Sequence, residues 1–247
     1  MKRYFHINYE FDPVAVQERI ERQALNGGDA AYVCVADGNV LVQVHRNPDY
    51  RAVVQGGLFS ICDSSWVPLY LKRLYGFQPA QYSGSDIFRD LTGARKYRMA
   101  FLGASQEVLD ALRERLSEID PAIRDMLFLE LPFADVEDFD YEGIAAQVNA
   151  VRPDIVWVAL GAPKQEFFAA RLTPLLSRGV VIPVGAVFNF RAGLGIRRAP
   201  QWMVRMHLEF IYRIFSEPRK QLRRVWQILR WTPEILREER RKNRKSE

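Results

Sequence analysis

The sequence predicts an α/β fold, in which a mostly parallel β-sheet is covered by helices on both faces and followed by a C-terminal helical appendage. Six apolar runs have the length of buried strands, and segments with helical spacing alternate with several of them. No further strand-like run follows Pro200. Strands that alternate with helices favour a parallel sheet, and such sheets bind their ligands beyond the carboxyl ends of the strands.

The predicted core domain comprises residues 1–195. Its predicted strands are Ala31–Val35, Leu58–Cys62, Tyr97–Leu102, Met126–Leu131, Ile155–Leu160 and Val180–Val187. Its predicted helices are Val16–Leu25, Val108–Ile119, Ile144–Val151 and Phe167–Leu176. A chain of 247 residues with 48% hydrophobic residues is large enough to bury one such core.

The predicted appendage comprises residues 196–247. Trp202–Phe215 and Leu222–Arg241 have helical spacing, and Pro233 is expected to break the second of them. From Arg191 onward there are sixteen Lys/Arg and six Asp/Glu, a net charge of +10. The whole chain carries +5, so the preceding residues carry −5.

This basic segment predicts an anionic partner, either an acidic lipid surface or nucleic acid. Trp226 and Trp231 favour the membrane, because tryptophan prefers the headgroup region. A helix that packs on its own domain is the alternative. A nucleic-acid-binding function is less favoured, since the segment has no recognition motif and the rest of the chain is acidic.

Cysteine content and hydropathy predict a cytoplasmic protein. Cys34 and Cys62 both lie in strand-like apolar runs, which indicates buried thiols in a reducing compartment. No apolar run reaches the roughly 18 residues that a membrane span needs. The basic N-terminus is not followed by the apolar stretch of a signal peptide.

The segment Gly161-Ala162-Pro163-Lys164-Gln165-Glu166 follows the predicted strand Ile155–Leu160. The unpaired N–H groups of a helix start bind phosphate oxygens, and Lys164 would add a positive charge beside them. Gln165 and Glu166 could form hydrogen bonds with a base or with sugar hydroxyls. An ordinary strand-to-helix turn is the alternative interpretation.

Three acidic residues lie near the ends or starts of predicted elements. Asp63 follows a strand, where its carboxylate could act as a general base. A helix N-cap is the alternative role for such a residue. Asp37 and Asp86 could likewise bind a ligand, or they could stabilise a turn or cap a helix.

Two arginines, Arg197 and Arg198, precede Pro200. Guanidinium groups bind diphosphates through paired hydrogen bonds, so these arginines could hold such a group. A solvated charge pair is the alternative.

Several common site signatures are absent from the sequence. It contains no G-x-x-x-x-G-K-[ST] phosphate loop, no complete dinucleotide-binding glycine pattern and no zinc-type Cys/His spacing. Asp138-Phe139-Asp140 has the form of a metal-binding Asp-x-Asp, but its acidic surroundings favour a solvated loop. We therefore predict neither a metal site nor a cofactor.

Together, these motifs resemble those of the WecG/TagA/CpsF glycosyltransferase family (glycosyltransferase family 26). The strongest match is Leu160–Glu166. Further matches follow at family-like distances: they are Val184–Ala186, Arg198–Trp202, Leu208–Arg213 and Glu217–Arg219. Weaker matches precede them: they are Asn39, Asn47-Pro48, Asp63 and Gly84–Asp86. The likeness covers about residues 31–224.

The resemblance implies a Rossmann-like, GT-E-like core with a helical appendage that approaches the membrane. It implies an inverting transfer of an N-acetylmannosamine- or uronic-acid-type sugar from a UDP-sugar to a polyprenyl-diphosphate-linked sugar. No metal would be needed. The enzyme would act in bacterial surface polysaccharide or teichoic acid synthesis, peripherally on the inner face of the cell membrane. A homo-oligomer is compatible with this expectation.

The resemblance also assigns residues. Asp63 takes the place of the family's proposed catalytic base, although Pro-Asp-Gly is here Cys62-Asp63-Ser64. The family's Thr-x-Asn is Asp37-Gly38-Asn39, and the Asp of its Phe-Asp-Phe is Asn189. The donor-binding residues implied are Asp37, Asn39, Gly84, Asp86, Gly103, Gly161, Pro163, Lys164, Gln165, Glu166, Gly185 and Asn189. The acceptor- or diphosphate-binding residues implied are Arg197, Arg198, Arg213, Arg219 and Arg223.

Overall fold

The computed structural model describes residues 3–25, 28–194 and 218–244. The side chains of residues 218–221 are not part of this description. The expected helix Trp202–Phe215 and the candidate residues Arg197, Arg198 and Arg213 therefore lie outside the described residues. The expected domain boundary at residue 195 falls where the second described range ends.

The centre of the fold is a seven-stranded sheet in which every pair of neighbouring strands is parallel. In chain order the strands β1 to β7 are Tyr9–Glu10, Ala31–Ala36, Phe59–Cys62, Met99–Gly103, Leu127–Leu129, Ile155–Ala159 and Val180–Pro183. Their order across the sheet is β1-β3-β2-β7-β6-β4-β5. Most strand residues are buried, as expected for a parallel sheet with both faces covered.

Helices cover both faces. Within the described part of the chain, the helices in chain order, α1 to α10, are Pro13–Leu25, Gly38–Arg46, Pro48–Gly56, Val67–Tyr75, Gly84–Gly93, Gln106–Ile119, Tyr141–Val151, Lys164–Leu172, Val187–Ala192 and Pro218–Arg244. On one face, α2, α3, α4, α7, α8 and α10 contribute to one hydrophobic cluster. On the other face, α1, α5, α6 and α9 contribute to a second cluster. The predicted fold class is confirmed.

All six predicted strands are present, and the predicted thiol burial is also confirmed. Cys34 and Cys62 are both buried and free. The last strand is shorter than predicted: β7 ends at Pro183, and α9 begins at Val187. The helix predicted over Phe167–Leu176 begins earlier, at Lys164, and Thr173–Leu175 continues it as a 3-10 turn.

The expectation that Pro233 would break the C-terminal helix is wrong. Helix α10 runs without a break from Pro218 to Arg244. Proline removes one backbone hydrogen bond from a helix, but tertiary contacts on both sides of Pro233 hold the helix in place. Ile235 is buried in the first cluster, and Trp231 packs against the same cluster.

Two short helices between β2 and β3 were not predicted from the apolar pattern. Asp37 caps α2 by accepting hydrogen bonds from the N–H groups of Asn39 and Val40, both at 2.9 Å. Asn47 caps α3 in the same way, with proline at the following position. Side-chain caps therefore fix both helix starts.

Candidate active site

The carboxyl ends of the central strands form one row along an edge of the sheet. In spatial order, β3, β2, β7, β6 and β4 lead to five candidate residues: these are Asp63, Asp37, Gly185, Gly161 and Gly103. Because neighbouring strands are parallel, residues distant in sequence meet at the same edge. We call this edge the carboxyl edge.

The chain reverses its direction across the sheet between β6 and β4. The connection after β6 leads to β7 on one side, and the connection after β4 leads to β5 on the other. A crevice is expected at such a switch point. Gly103 has φ +99°, and a Cβ there would lie 2.7 Å from the Ala159 carbonyl oxygen. Only glycine allows β4 to end this close to β6.

Asp63 is partly buried and held by groups from two other segments. Its backbone N–H donates to the Ala36 carbonyl at 3.1 Å. Its carboxylate oxygen Oδ1 accepts from the backbone N–H of Gly84 at 3.3 Å. Gln81 donates to its backbone carbonyl at 2.9 Å. The carboxylate is therefore oriented by the start of α5 and does not cap α4, the next helix in the chain.

Asp86 and Asp37 both take part in helix caps. Ser83 and Asp86 form a capping box at the start of α5, in which each side chain accepts from the other's backbone N–H. Asp86 also forms an ion pair with Arg89 at 3.0 Å. Asp37 caps α2, and Asn39, in the first turn of that helix, is largely buried. From the sequence, Asp37 and Asp86 could each bind a ligand or cap a helix. The structure shows the capping contact at both residues.

Gly84 brings the start of α5 against two other elements of the carboxyl edge. A Cβ on Gly84 would lie 3.2 Å from Val35 Cγ1 in β2 and 3.8 Å from Val187 Cγ2 in α9. Asn189 is partly buried on α9, and its carbonyl accepts from the Gly193 N–H at the end of this helix. The structure thus places α5, β2 and α9 side by side.

The loop after β6 is held in place by side chains at the start of α8. Gly161, with φ +79°, donates its N–H to Gln165 Oε1 at 3.0 Å. Pro163 follows a cis peptide bond and directly precedes α8. Lys164 Nζ donates to the Ala134 carbonyl at 2.5 Å and lies 4.9 Å from the centre of the Phe133 ring. Lys164 therefore joins this loop to the segment after β5.

Glu166 is completely buried, in contrast to the contact with a base or sugar hydroxyls that the sequence allowed. Its Oε1 accepts from Gln165 Nε2 at 2.8 Å. Burial raises the pKa of Glu166 to about 7, and the charge of Asp37 adds to the increase. The hydrogen bond from Gln165 and the nearby Tyr50 hydroxyl lower the pKa. Glu166 Oε2 and the Tyr50 hydroxyl do not, however, form a hydrogen bond of regular geometry.

Only some of the candidate arginines can be placed. Arg223 is exposed on α10. Arg219 belongs to the same helix, but its side chain lies outside the described part of the chain. That the five predicted arginines lie together therefore stays a prediction.

Helix α10 packs on α2 and α4, which follow β2 and β3. Ile228 Cδ1 lies 3.0 Å from the position that a Cβ on Gly38, at the start of α2, would occupy. Glu238 pairs with His45, near the end of α2, at 3.0 Å. The two helices are thus parallel. Because α2 begins at the carboxyl edge, the turns of α10 before Ile228 extend past that edge.

These first turns carry an exposed apolar face. Leu222, Trp226 and Leu229 are 55%, 59% and 69% exposed, and their spacing places them on one side of α10. Arg230 lies over the Trp226 ring at 5.2 Å, and Arg223 is exposed nearby. In the second half of α10, Glu239 is buried and accepts from the Tyr75 hydroxyl at 2.6 Å. The helix is therefore anchored at one end and amphipathic at the other.

Sequence reasoning missed two aromatic residues near the site. Tyr50 is buried on α3, and no local pattern singles it out. Phe133 is fully exposed on the segment after β5, beside Lys164. The sequence did contain a signal for Phe133, because this aromatic residue lies just after the end of a predicted strand.

Two findings concern metal ligands and membrane spans. Asp140 caps α7 by accepting from the Gly143 N–H at 2.9 Å, which accounts for one of the two acidic residues of the Asp-x-Asp segment. Within residues 3–25, 28–194 and 218–244, no group of three or more His, Cys, Asp or Glu side chains could hold a metal ion. In the same ranges, no helix is both long and apolar enough to cross a bilayer.

Comparison with known proteins gives consistent matches over most of the chain. The sequence profile described as "Glycosyl transferase WecG/TagA/CpsF family" matches residues 5–245. A protein of Bacillus spizizenii is 29% identical over 225 residues, which are 90% of this chain and 84% of the relative. A protein of Bacillus subtilis is 26% identical over 226 residues, 90% of this chain and 86% of the relative. Both are named N-acetylglucosaminyldiphosphoundecaprenol N-acetyl-beta-D-mannosaminyltransferase.

Proposed function

The chain belongs to the WecG/TagA/CpsF family of glycosyltransferases, and we propose that it transfers a sugar from a UDP-sugar to a polyprenyl-diphosphate-linked sugar. The proposed donor sugar is of the N-acetylmannosamine or uronic acid type. The names of the two Bacillus relatives support an N-acetylmannosaminyl group and an undecaprenyl-diphosphate-linked acceptor. The product would serve bacterial surface polysaccharide or teichoic acid synthesis.

One observation carries this proposal: the carboxylate of Asp63 meets the start of α5 at the same edge as the glycine loops after β6 and β7. A transferase needs a base beside a site for the leaving diphosphate. The start of α5 is already capped by Ser83, Asp86 and Asp63, but the start of α8 has no side-chain cap and could offer a backbone N–H group to phosphate oxygens. The edge therefore combines the two kinds of group that the reaction requires.

In the proposed mechanism Asp63 is the general base. It takes the proton from the attacking hydroxyl of the acceptor sugar while the oxygen forms a bond to the anomeric carbon of the donor. The bond from that carbon to the diphosphate oxygen breaks, and its electron pair leaves with UDP. A single displacement inverts the configuration at the anomeric carbon.

We propose that backbone N–H groups and basic side chains stabilise the leaving diphosphate without a metal. UDP should then raise the melting temperature of the protein equally well in the presence of EDTA. Loss of this protection on chelation would contradict the metal-free proposal and return attention to Asp138.

The acceptor is proposed to arrive from a membrane surface. The exposed apolar face of α10, flanked by arginines, has the character of a helix that lies in an acidic interface. This face favours lipid over the nucleic-acid alternative, because nucleic-acid backbones are bound mainly through charge. The protein would then work peripherally, on the cytoplasmic side of the membrane.

Turnover with defined substrates tests the function. The protein is incubated with UDP-N-acetylmannosamine, UDP-N-acetylmannosaminuronic acid or UDP-N-acetylglucosamine and a short-chain polyprenyl-diphosphate-N-acetylglucosamine. Mass spectrometry should detect a disaccharide product with one of the first two donors, and NMR should give the inverted configuration. Absence of transfer from every UDP-sugar, by protein that is folded and binds UDP, would overturn the proposed acceptor.

A further inference from the structure

One buried side chain, Gln165, lies between the loops that follow β6 and β7. Its Oε1 accepts from the Gly161 N–H at 3.0 Å. A Cβ on Gly185, in the neighbouring loop, would lie only 3.2 Å from the same oxygen. Gln165 is 5% exposed, so its amide is packed between the loops and does not face solvent.

The orientation of this amide matches the groups at its two ends, the Gly161 N–H and the Glu166 carboxyl group. A glutamine amide has an acceptor at one end and two donors at the other, and turning it over exchanges them. The Gly161 N–H can only donate, and it faces Oε1. The Glu166 carboxyl group accepts from Nε2 at 2.8 Å and thereby holds the amide in the matching orientation.

Burial of the Glu166 carboxyl group is unfavourable, and its hydrogen bonds do not fully compensate for the loss of hydration. The residue has no exposed surface, and its second oxygen, Oε2, lies near the Tyr50 hydroxyl without forming a hydrogen bond of regular geometry. The Tyr50 hydroxyl, on α3, is also buried without a regular partner. A leucine of similar volume would pack here without this penalty, so stability alone does not explain a carboxyl group at this position.

We propose that Glu166 is a positioning residue, whose carboxyl group fixes the Gln165 amide and, through it, the two loops that receive the UDP-sugar. Glu166 itself does not touch the donor. This role rests on the proposed transfer reaction only in that these loops bind the donor. It replaces the direct donor contact that the sequence resemblance implied for Glu166.

The proton on Glu166 should modulate this contact near neutral pH. The titratable groups that face it are Asp37 at the start of α2, Tyr50 on α3 and Cys34 in β2. Burial raises the pKa of Glu166 to about 7. The ionised carboxylate accepts the Gln165 hydrogen bond more strongly than the neutral acid does. The Michaelis constant for the donor should therefore change across that pH range.

Two substitutions separate positioning from packing. Glu166→Leu removes the acceptor, whereas Glu166→Gln keeps an oxygen that can accept from Gln165 Nε2. Glu166→Leu should raise the KM for the UDP-sugar about tenfold, the effect of one lost hydrogen bond, and change kcat much less. Glu166→Gln should stay within about threefold of the wild-type KM and lose the pH dependence near 7.

Amide hydrogen exchange of Gly161, measured by NMR, gives a readout that does not need turnover. Exchange should become about tenfold faster in Glu166→Leu and stay near the wild-type rate in Glu166→Gln. Thr173→Val, which removes another buried hydrogen bond beyond the far end of α8, serves as the control and should change neither quantity.

An unchanged KM and unchanged Gly161 exchange in folded Glu166→Leu would overturn the positioning role. Equal losses in Glu166→Gln and Glu166→Leu would also overturn it, because the retained oxygen would then have no effect. If the wild-type protein neither binds UDP nor transfers sugar, the proposed function fails. The exchange measurement still decides whether Glu166 holds the loop.

Discussion

The two halves of the carboxyl edge use polar side chains in opposite ways. In the half formed by β3 and β2, carboxylates lie near the surface and meet backbone N–H groups of helix starts, as Asp63 meets Gly84. In the half formed by β7 and β6, the polar side chains Gln165 and Glu166 are buried and bond to each other. In the proposed function, the first half would present a carboxylate to the substrate, and the second would present backbone groups that buried side chains hold in place.

Helix α10 belongs to the first half. It packs on α2 and α4, which follow β2 and β3, and the part of its exposed apolar face formed by Leu222 and Trp226 extends past the carboxyl edge there. We infer a division of labour in which the β3–β2 half receives the lipid-linked acceptor and carries the base. The β7–β6 half would hold the donor.

The largest expected effect is the loss of the base. Asp63→Asn should lower turnover by about 10²–10⁴-fold, because a general base contributes that much to the rate. UDP affinity should stay close to wild type, since asparagine retains an oxygen that can accept from the Gly84 N–H. Steady-state kinetics and calorimetric titration with UDP measure the two quantities.

Asp125→Asn is the matched control for this substitution. Asp125 is exposed and precedes β5 at the opposite edge of the sheet, so turnover should not change. Near-normal turnover in Asp63→Asn would move the base to another group and would remove the chemical distinction between the halves.

The second effect concerns the stability cost of burying Glu166. Its pKa is about 7 in the folded protein against an ordinary value of 4.5, so the folded state retains a proton that the unfolded state has lost. Wild-type stability should therefore fall as the pH rises from 5 to 8. The free energy of unfolding of Glu166→Gln should gain about 2–3 kcal/mol relative to wild type over this range.

Urea unfolding at several pH values measures this difference. Glu118→Gln, at an exposed position on α6, should follow wild type across the range. A difference between Glu166→Gln and wild type that does not vary with pH would show that Glu166 is ionised throughout. The raised pKa of Glu166 would then no longer distinguish the β7–β6 half from the β3–β2 half.

The strands were predictable from the sequence, whereas the short helices beside them were not. Apolar runs such as Ala31–Val35 must be buried on both faces of a parallel sheet, and this requirement is visible in the residues themselves. The run Val40-Leu41-Val42 in α2 is equally apolar and has no clear helical period. The Asp37 cap and packing against β2 and α10 make it a helix, and neither is a property of the run alone.

The sequence placed candidate residues after the strands of the carboxyl edge but could not distinguish their roles. Asp63 and Asp37 both follow buried strands, and only their partners distinguish them. Asp37 binds N–H groups two and three residues ahead, whereas Asp63 binds an N–H twenty-one residues away. The burial of Glu166 likewise depends on which side of α8 faces α3. The local motif therefore suggested a ligand contact for Glu166, whereas the structure has a hydrogen bond with Gln165.

The smallest expected effect concerns the apolar face of α10. Trp226→Ser combined with Leu229→Ser should weaken binding to acidic vesicles by about tenfold or more, because each side chain contributes about 1 kcal/mol when it is partly removed from water. The fold should be unaffected, since the anchoring contacts of Ile235 and Glu239 remain. Vesicle co-sedimentation at low and high salt measures the binding, and the apolar contribution should persist at high salt, where charges are screened.

The same double variant tests whether membrane contact serves the acceptor half alone. The KM for a long-chain acceptor in vesicles should rise, while the KM for the UDP-sugar and for a short-chain soluble acceptor should not, because neither substrate depends on docking at the lipid surface. Val14→Ser combined with Leu25→Ser provides the control, since these exposed apolar residues lie on α1, on the other face of the sheet. Equal vesicle binding by both double variants would show that the α10 face does not insert. A parallel rise in the UDP-sugar KM would show that α10 also supports the donor half, and the proposed division between the halves would have to be abandoned.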